Sequence, residues 1–364
     1  MNQTVEAGLL LATIERYEAG ESRIAGRSGV LKLSSNENPF GPGRKAREAL
    51  SQSLEGLERY PSRDHEELRV AIARAHGLDA GRVLCGAGSD NVLSLLARTF
   101  AGPGTEVIYT RHGFLMYPIF ARTAGATPVE VAETDRHVDV GKILAAVSDR
   151  TRIIYIANPS NPTGTMLGSQ KLEKLASGLP GSVILVLDGA YAEYAEGYDG
   201  GASLVERYPN VFMTRTFSKI HGLAALRVGY GYGAPEIIDV LDRIREPFNV
   251  SGPAQAAAIA AIGDAEHVRN CQAGNARNRR WLGGRLVELG LGVDRSHANF
   301  ILARFSGPDM AAACDRHLQD EGIIVRRLEA YKLPGCLRIT IGDRDSCQKV
   351  GEAISRFIDD WSGS

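Results

Sequence analysis

A single lysine stands among small and apolar residues in the stretch TFSKIHGLAALRVGYGYG, residues 216–233. Lys219 follows Ser218, has Ile220 beside it, and precedes Arg227 by eight positions. Burial disfavours the charged form of a lysine and so lowers its pKa. A neutral amine can form an imine with an aldehyde. The stretch therefore indicates imine chemistry, and the alternative is an ordinary surface lysine on a loop.

Three further motifs place polar residues directly after short apolar runs. GAGSDN (86–91) has the glycines and helix start that can cradle a phosphate, or it is a turn with a helix cap. NPSNPTGTM (158–166) is a rigid turn that would present Asn161. VILVLDGAYAEY (183–194) ends an apolar run in Asp188, with Tyr191 three positions later. A buried carboxylate needs a partner, unless Asp188 is only a helix cap.

The elements that must position these motifs alternate along the first two thirds of the chain. We predict strands at 83–85, 106–109, 152–157, 183–187, 211–215 and 227–231. Helical patterns lie between them at 64–76, 90–100, 138–147 and 169–177. Apolar strands separated by helices indicate a parallel sheet covered on both faces. Ligands bind beyond the carboxyl ends of such strands, so we expect the four motifs to meet there.

The pattern changes after about residue 236, where longer helices begin. The predicted elements there are helices at 235–245 and 254–287, a strand at 300–304, a helix at 308–321, strands at 323–325 and 337–340, and a helix at 346–361. This pattern favours a smaller α+β domain. We predict a large cofactor-binding domain over 44–250, with 1–43 and 251–364 forming an N-terminal arm and the small domain.

Composition excludes several classes of function. The 364 residues carry a net charge of −1, so no nucleic-acid or membrane partner is expected. No apolar run approaches the ~20 residues of a membrane helix, and the N-terminus is a poor signal peptide. Five scattered cysteines without a C-x-x-C pair indicate reduced thiols and a cytoplasmic protein. The eight scattered histidines show no metal-ligand spacing, so no metal is expected.

The combined motifs, from SSNENPFGP (34–42) to LRITIG (337–342), resemble the fold type I pyridoxal-phosphate-dependent aminotransferases. Within these they are most similar to the histidinol-phosphate aminotransferase group. The resemblance implies an α/β fold with a mostly parallel seven-stranded sheet in a large domain and a smaller α+β domain. It also implies a homodimer.

The resemblance implies roles for the residues of the motifs. Lys219 would bind the cofactor covalently and move the substrate proton, Asp188 would pair with the pyridine nitrogen, and Tyr191 would bond the ring oxygen O3′; these three are the predicted catalytic residues. The predicted cofactor-binding set is Ala87, Gly88, Ser89, Phe114, Asn161, Asp188, Tyr191, Ser218, Lys219, Arg227 and, from a neighbouring subunit, Tyr60. Two departures are visible: Gly189 stands where the family usually has glutamate, and Phe114 lies in RHGFLMYP rather than the commoner Pro-Thr-Tyr form.

The resemblance also implies a substrate site and a ping-pong reaction between an amino donor and an oxo-acid. The predicted substrate-binding residues are Arg338, Arg326, Asn38 and Tyr17; Arg326 alternatively forms a surface salt bridge. The expected reaction transfers the amino group of L-histidinol phosphate to 2-oxoglutarate, giving imidazole-acetol phosphate and glutamate in histidine biosynthesis. Transamination of phenylalanine or tyrosine is the alternative, followed by decarboxylation of a phosphorylated amino acid and by a non-catalytic cofactor-binding role.

Overall fold

The computed structural model of the protein describes residue 14 and residues 20–362, and the elements below belong to that part of the chain. The strands are β1 (Leu31–Lys32), β2 (Val83–Gly86), β3 (Glu106–Thr110), β4 (Thr127–Val131), β5 (Thr151–Ala157), β6 (Ile184–Asp188), β7 (Val211–Thr216), β8 (Gly229–Tyr232), β9 (Gly292–Val293), β10 (Phe300–Arg304), β11 (Ile323–Ile324), β12 (Arg326–Arg327) and β13 (Cys336–Thr340). The helices are α1 (Arg44–Gln52), α2 (Glu66–His76), α3 (Ser89–Phe100), α4 (Met116–Thr123), α5 (Val140–Ala146), α6 (Ser169–Ser177), α7 (Ala202–Arg207), α8 (Pro235–Ile244), α9 (Gly252–Ile262), α10 (Ala265–Glu288), α11 (Pro308–Asp320) and α12 (Arg344–Ser362).

The main sheet has seven strands in the order β2-β8-β7-β6-β5-β3-β4. Strand β8 runs antiparallel to both neighbours, and the other pairings are parallel. The predicted mostly parallel sheet is therefore confirmed. The sequence patterns did not predict β4, which contains Pro128 and alternates apolar with polar residues. Proline is tolerated at the edge of a sheet, and β4 is an edge strand.

Helices cover both faces of the main sheet. Along β5, Ile153 and Tyr155 belong to one buried apolar cluster and Ile154 and Ile156 to another, as the two-residue period of a strand requires. Helix α9 supplies buried alanines to the second cluster, although it follows residue 250. The division of the chain at 44–250 stays a prediction.

A smaller sheet has the order β12-β13-β10-β9, with antiparallel pairings. The sequence predicted one helix over 254–287, but two helices form because Gly263 and Asp264 separate α9 from α10. Both residue types have low helix propensity, and the carboxylate of Asp264 lies 3.5 Å from the Nζ of Lys45. None of the helices among the described residues is long and apolar enough to cross a membrane.

The segment after β1 connects the two sheets. Strand β1 pairs in parallel with β11, and the backbone N–H of Thr340 donates to the carbonyl of Leu33. The side chain of Asn299 then donates to the carbonyl of Asn36 at 2.9 Å. These bonds hold residues 34–36 between the small sheet and the carboxyl ends of the main-sheet strands.

Candidate active site

A cavity of about 290 Å³ lies beyond the carboxyl ends of β5, β6 and β7. Residues 34–36, the turn after β5 and the small sheet also contribute to its wall. Ten of the predicted site residues line it: Ser89, Phe114, Asn161, Asp188, Tyr191, Ser218, Lys219, Arg227, Arg326 and Arg338. The four motifs therefore meet at one edge of the sheet, as expected from their positions in the sequence.

The remaining predicted residues lie elsewhere. Ala87 and Gly88 precede α3 and border the cavity without lining it. Asn38 donates its side-chain amide to the carbonyl of Ile220 at 2.7 Å, and so contacts the lysine loop rather than the cavity. The ring of Tyr60 is 82% exposed and stacks on Phe248 at 4.6 Å. Tyr17 lies outside the described residues.

Lys219 lies in the loop that follows β7. Its Nζ is 3.4 Å from the carbonyl oxygen of Ser35 and 5.7 Å from the ring centre of Tyr191. Burial, with a smaller contribution from the charge of Arg338, lowers the pKa of Lys219 to about 8. About a tenth of this amine is therefore neutral at pH 7, far more than for an ordinary lysine, and only the neutral form attacks an aldehyde.

Asp188 ends β6 and is 5% exposed. Tyr117 donates to one carboxylate oxygen at 2.7 Å, and Thr214 donates to the other at 3.3 Å. Burial raises the pKa of Asp188 to about 6, against the opposing effect of the Tyr117 hydrogen bond. Among the described residues no cationic side chain forms an ion pair with Asp188. A buried carboxylate of this kind fits a protonated pyridine nitrogen, which would supply the missing positive charge.

The opposite end of the cavity has the donors that suit a phosphate. Arg227 donates to the hydroxyl of Ser218 at 3.2 Å, and Ser89 is the first residue of α3, whose N-terminus offers free N–H groups. Gly88 has a φ of +84°, and a Cβ there would lie 2.5 Å from Nη2 of Arg227. Glycine is therefore needed for this close approach. Asp90, 3.6 Å from Arg227, partly balances its charge.

Two arginines occupy the wall formed by the small sheet. Arg338 on β13 is buried and donates to Asn161 Oδ1 at 2.5 Å and to the carbonyl of Ser34 at 2.7 Å. Its Nε has no hydrogen-bond partner among the described residues. Arg326 on β12 is the cross-strand partner of Arg338 and lines the same cavity. Its neighbour Arg327 forms an ion pair with Glu329 instead.

Sequence reasoning missed several residues that support this site. Asn36 donates to the hydroxyl of Tyr191 at 2.8 Å, and Tyr117 and Thr214 bond Asp188. Thr216 donates to Ser218 at 3.0 Å. Asn36 lies two positions before the predicted Asn38, and Tyr117 lies three positions after the predicted Phe114. Closeness in sequence to a predicted site residue was therefore the signal that could have found both. The contacts themselves depend on tertiary packing that the motifs do not encode.

Comparison with known proteins agrees with this geometry. The family model "Aminotransferase class I and II" matches residues 28–354, and the chain belongs to this family. It is thus an aminotransferase of the pyridoxal 5′-phosphate-dependent type, which confirms the predicted enzyme class and cofactor.

Individual relatives show which aminotransferases the chain resembles. The chain is 58% identical over 344 residues to a histidinol-phosphate aminotransferase of Cereibacter sphaeroides, covering 94% of this chain and 95% of that protein. It is 57% identical to one from Paracoccus denitrificans, covering 95% and 94%. The structure of histidinol-phosphate aminotransferase from Sinorhizobium meliloti, in complex with pyridoxal 5′-phosphate, aligns with a TM-score of 0.91 at 27% identity and covers 99% of both chains. The fold type I architecture is therefore confirmed.

Proposed function

We propose that this protein transfers the amino group of L-histidinol phosphate to 2-oxoglutarate, giving imidazole-acetol phosphate and glutamate in histidine biosynthesis. The observation that carries the proposal is the cross-strand pair Arg326 and Arg338, two guanidinium groups on the cavity wall opposite the main sheet. Relatives of that activity at 52–58% identity over most of the chain support it.

We infer the roles of the cofactor side from its contacts. Bound pyridoxal phosphate supplies an electron sink for the pair released when the substrate loses its proton. Asp188 would hold the pyridine nitrogen in its protonated form, and Phe114 would lie against the ring. Tyr191 and Asn161 would bond the ring oxygen. Ser218, Arg227 and the backbone of residues 87–89 would hold the phosphate.

Lys219 would carry the proton between the substrate carbon and the cofactor. A general base works best when its pKa lies near the working pH, and the pKa of Lys219 is about 8. Its Nζ also lies near the carbonyl of Ser35, on the substrate side of the cavity. One amine can therefore reach both sides of the site.

The two arginines would bind the phosphate of the donor. Arg338 already has a fixed position, because it donates to Asn161 and to the carbonyl of Ser34, and it lines the cavity. Guanidinium groups offer forked donors to phosphate and carboxylate alike, so 2-oxoglutarate could occupy the same place in the second half of the cycle. Asn38 and Tyr17 stay predicted substrate contacts, and the bond from Asn38 to Ile220 favours a supporting role for Asn38.

We also propose a cytoplasmic homodimer. Tyr60 is highly exposed and does not line its own cavity, which suits a contact with the cofactor of a second subunit. All five cysteines are buried and free, as in a reducing compartment. A monomer in sedimentation equilibrium with cofactor bound would contradict the dimer.

A comparison of amino donors tests the substrate. The cofactor-loaded protein is mixed with L-histidinol phosphate or with L-phenylalanine, and the cofactor absorbance is followed as the donor concentration rises. We expect histidinol phosphate to react at roughly 100-fold lower concentration, because charge-assisted hydrogen bonds to its phosphate contribute about 1.5–3 kcal/mol each.

Two variants on one strand sharpen this test. Arg326→Gln is expected to remove most of the preference for histidinol phosphate, whereas Arg327→Gln, its neighbour outside the cavity, should leave it unchanged. An equal or better reaction of phenylalanine with the unaltered protein would instead indicate an aromatic or dual-specificity aminotransferase.

A further inference from the structure

A buried ion pair lies behind the active site, on the side of β7 that faces away from the cavity. Arg215 Nη1 is 3.3 Å from Glu193 Oε1, and the two side chains are 6% and 7% exposed. Arg215 also donates to the carbonyl oxygen of Asp199. Gly200 has a φ of +74°, and a Cβ there would overlap the guanidinium. The turn after β6 is therefore shaped around this one arginine.

Each partner is a close neighbour in sequence of an active-site residue. On β7, Thr214 bonds Asp188 and Thr216 bonds Ser218, and Arg215 between them points to the opposite face. Glu193 lies two positions after Tyr191, in the turn of residues 189–199. The ion pair thus joins the strand that holds Asp188 in place to the turn that carries Tyr191.

A third element is tied to the same turn. Gln272 on α10 donates its side-chain amide to the carbonyl of Glu193 at 2.5 Å. The ring of Tyr191 meets Phe300 of β10 edge-on at 5.1 Å, and its hydroxyl accepts from Asn36. Contacts with the main sheet, the small sheet and the segment after β1 consequently fix the position of Tyr191.

The pair is poorly suited to stabilising the fold. Two charges buried from water lose solvation that their attraction often fails to restore, and apolar replacements of such pairs are frequently as stable. Here Arg215 Nε and Glu193 Oε2 also lack hydrogen-bond partners among the described residues. The geometry that the pair imposes therefore accounts for its presence better than its energy does.

We propose that Arg215 and Glu193 are positioning residues that hold Tyr191 against the cofactor by fixing the turn of residues 189–199 to β7. The proposal rests on the proposed function for the role of Tyr191. Neither residue of the pair lines the cavity, and the pair acts on the reaction only through the position of the tyrosine.

The test compares Arg215→Met, Glu193→Leu and the double variant with Arg82→Met. Arg82 is the control, because it too joins a glutamate, Glu206, and a backbone carbonyl, that of Gly233, and none of these three residues lines the cavity. We measure thermal unfolding, kcat and KM for the amino donor, and amide hydrogen exchange of residues 189–199 in the cofactor-free protein. The exchange measurement does not depend on any substrate assignment.

The double variant is expected to recover much of the thermal stability lost by either single variant. Its kcat should stay about 10-fold low with KM little changed, since a misplaced catalytic group can cost up to about 100-fold. Exchange in residues 189–199 should be faster than in the Arg82→Met control. The proposal is overturned if the double variant recovers kcat together with stability, or if exchange in the turn matches the control.

Failure of the proposed function has a different signature. An unaltered protein that converts neither histidinol phosphate nor phenylalanine would refute the substrate assignment. Faster exchange in the turn of the variants would still support the role of the pair in holding Tyr191.

Discussion

The two walls of the cavity take their side chains from different parts of the chain. On the cofactor side, Asp188 and Ser218 lie at the ends of neighbouring strands, and their partners Thr214 and Thr216 lie on β7 itself. On the substrate side, Arg338 belongs to the small sheet and bonds Asn161, from the turn after β5 of the main sheet, and Ser34, from the segment after β1. These bonds to Thr214 and Thr216 lie within a single sheet, whereas the bonds of Arg338 join three separate elements.

This difference indicates how each wall meets its ligand. On the cofactor wall, Asp188 and Ser218 are fixed by bonds to threonines of β7 inside one sheet. The substrate wall holds its arginine through bonds to groups that an incoming anion can replace. The two walls also interact electrostatically, because the positive charge of Arg338 contributes to the lowered pKa of Lys219. A substitution that changes the charge of the substrate wall should therefore change the pKa of Lys219 on the cofactor wall.

The largest effect is expected from Lys219→Ala, which removes the group that serves both walls. The rate of transamination should fall by roughly 10⁴-fold, because the proton transfer loses its base. Turnover is measured with the preferred donor, and cofactor content is measured on the same sample by absorbance after denaturation.

Lys45→Ala is the control for the lysine variant, since its side chain is about half exposed and pairs with Asp264 away from the cavity. It should behave like the unaltered protein. Normal turnover by Lys219→Ala would show that another group moves the proton, and the division of roles between the walls would be wrong.

Arg338→Gln should have the next largest effect, and it tests the coupling between the walls. We expect about a 100-fold loss in kcat/KM for the donor, as when a buried charge loses its partner. Removal of the positive charge should also raise the pKa of Lys219 above about 8. The pH at which the cofactor-free protein takes up pyridoxal phosphate at half its maximal rate should then move upward, because only the neutral amine reacts.

Arg304→Gln is the control on the neighbouring strand of the small sheet. Arg304 lies 3.4 Å from Asp294 and does not line the cavity. A loss of kcat/KM in Arg338→Gln with no shift in the uptake profile would mean that the two walls bind their ligands independently.

The sequence predicted the cofactor wall better than the substrate wall for a physical reason. Asp188, Ser218 and Lys219 lie in continuous motifs at strand ends, and parallel strands must bring their carboxyl ends together. The pairing of Arg326 with Arg338 depends on the register between β12 and β13, which no local pattern fixes. The role of Asn38 in substrate binding stays a prediction; its side chain bonds the carbonyl of Ile220, and Asn36 lines the cavity.

The sequence analysis missed strands whose local sequence pattern was weak. Strand β4 carries a proline at an edge, and the two-residue strands β1 and β12 are too short for any period to appear. The main-sheet strands were predicted within a few residues of their observed bounds, because short apolar runs between turn residues are typical of buried strands. Roles that depend on a second subunit, such as that of Tyr60, remain predictions.

The smallest effect is expected from Tyr117→Phe, which changes the cofactor wall alone. Tyr117 donates to Asp188 and thereby favours its carboxylate form, so the variant should have an Asp188 pKa above about 6. In the proposed function, that carboxylate pairs with the pyridine nitrogen of the cofactor. As pH falls through this pKa, cofactor affinity should fall, and in the variant it should fall at higher pH. For a shift of one pKa unit, we expect the Kd of the cofactor to rise about 5-fold at pH 6 and little at pH 8.

Thr214→Val is the companion variant, because it removes the longer of the two hydrogen bonds that side chains donate to Asp188, that of 3.3 Å. The longer bond stabilises the carboxylate less, so the affinity profile should shift less than in Tyr117→Phe. Equal losses of affinity at pH 6 and pH 8 in Tyr117→Phe would contradict the electrostatic role. They would show that the hydroxyl of Tyr117 fixes the position of the Asp188 side chain rather than setting its charge.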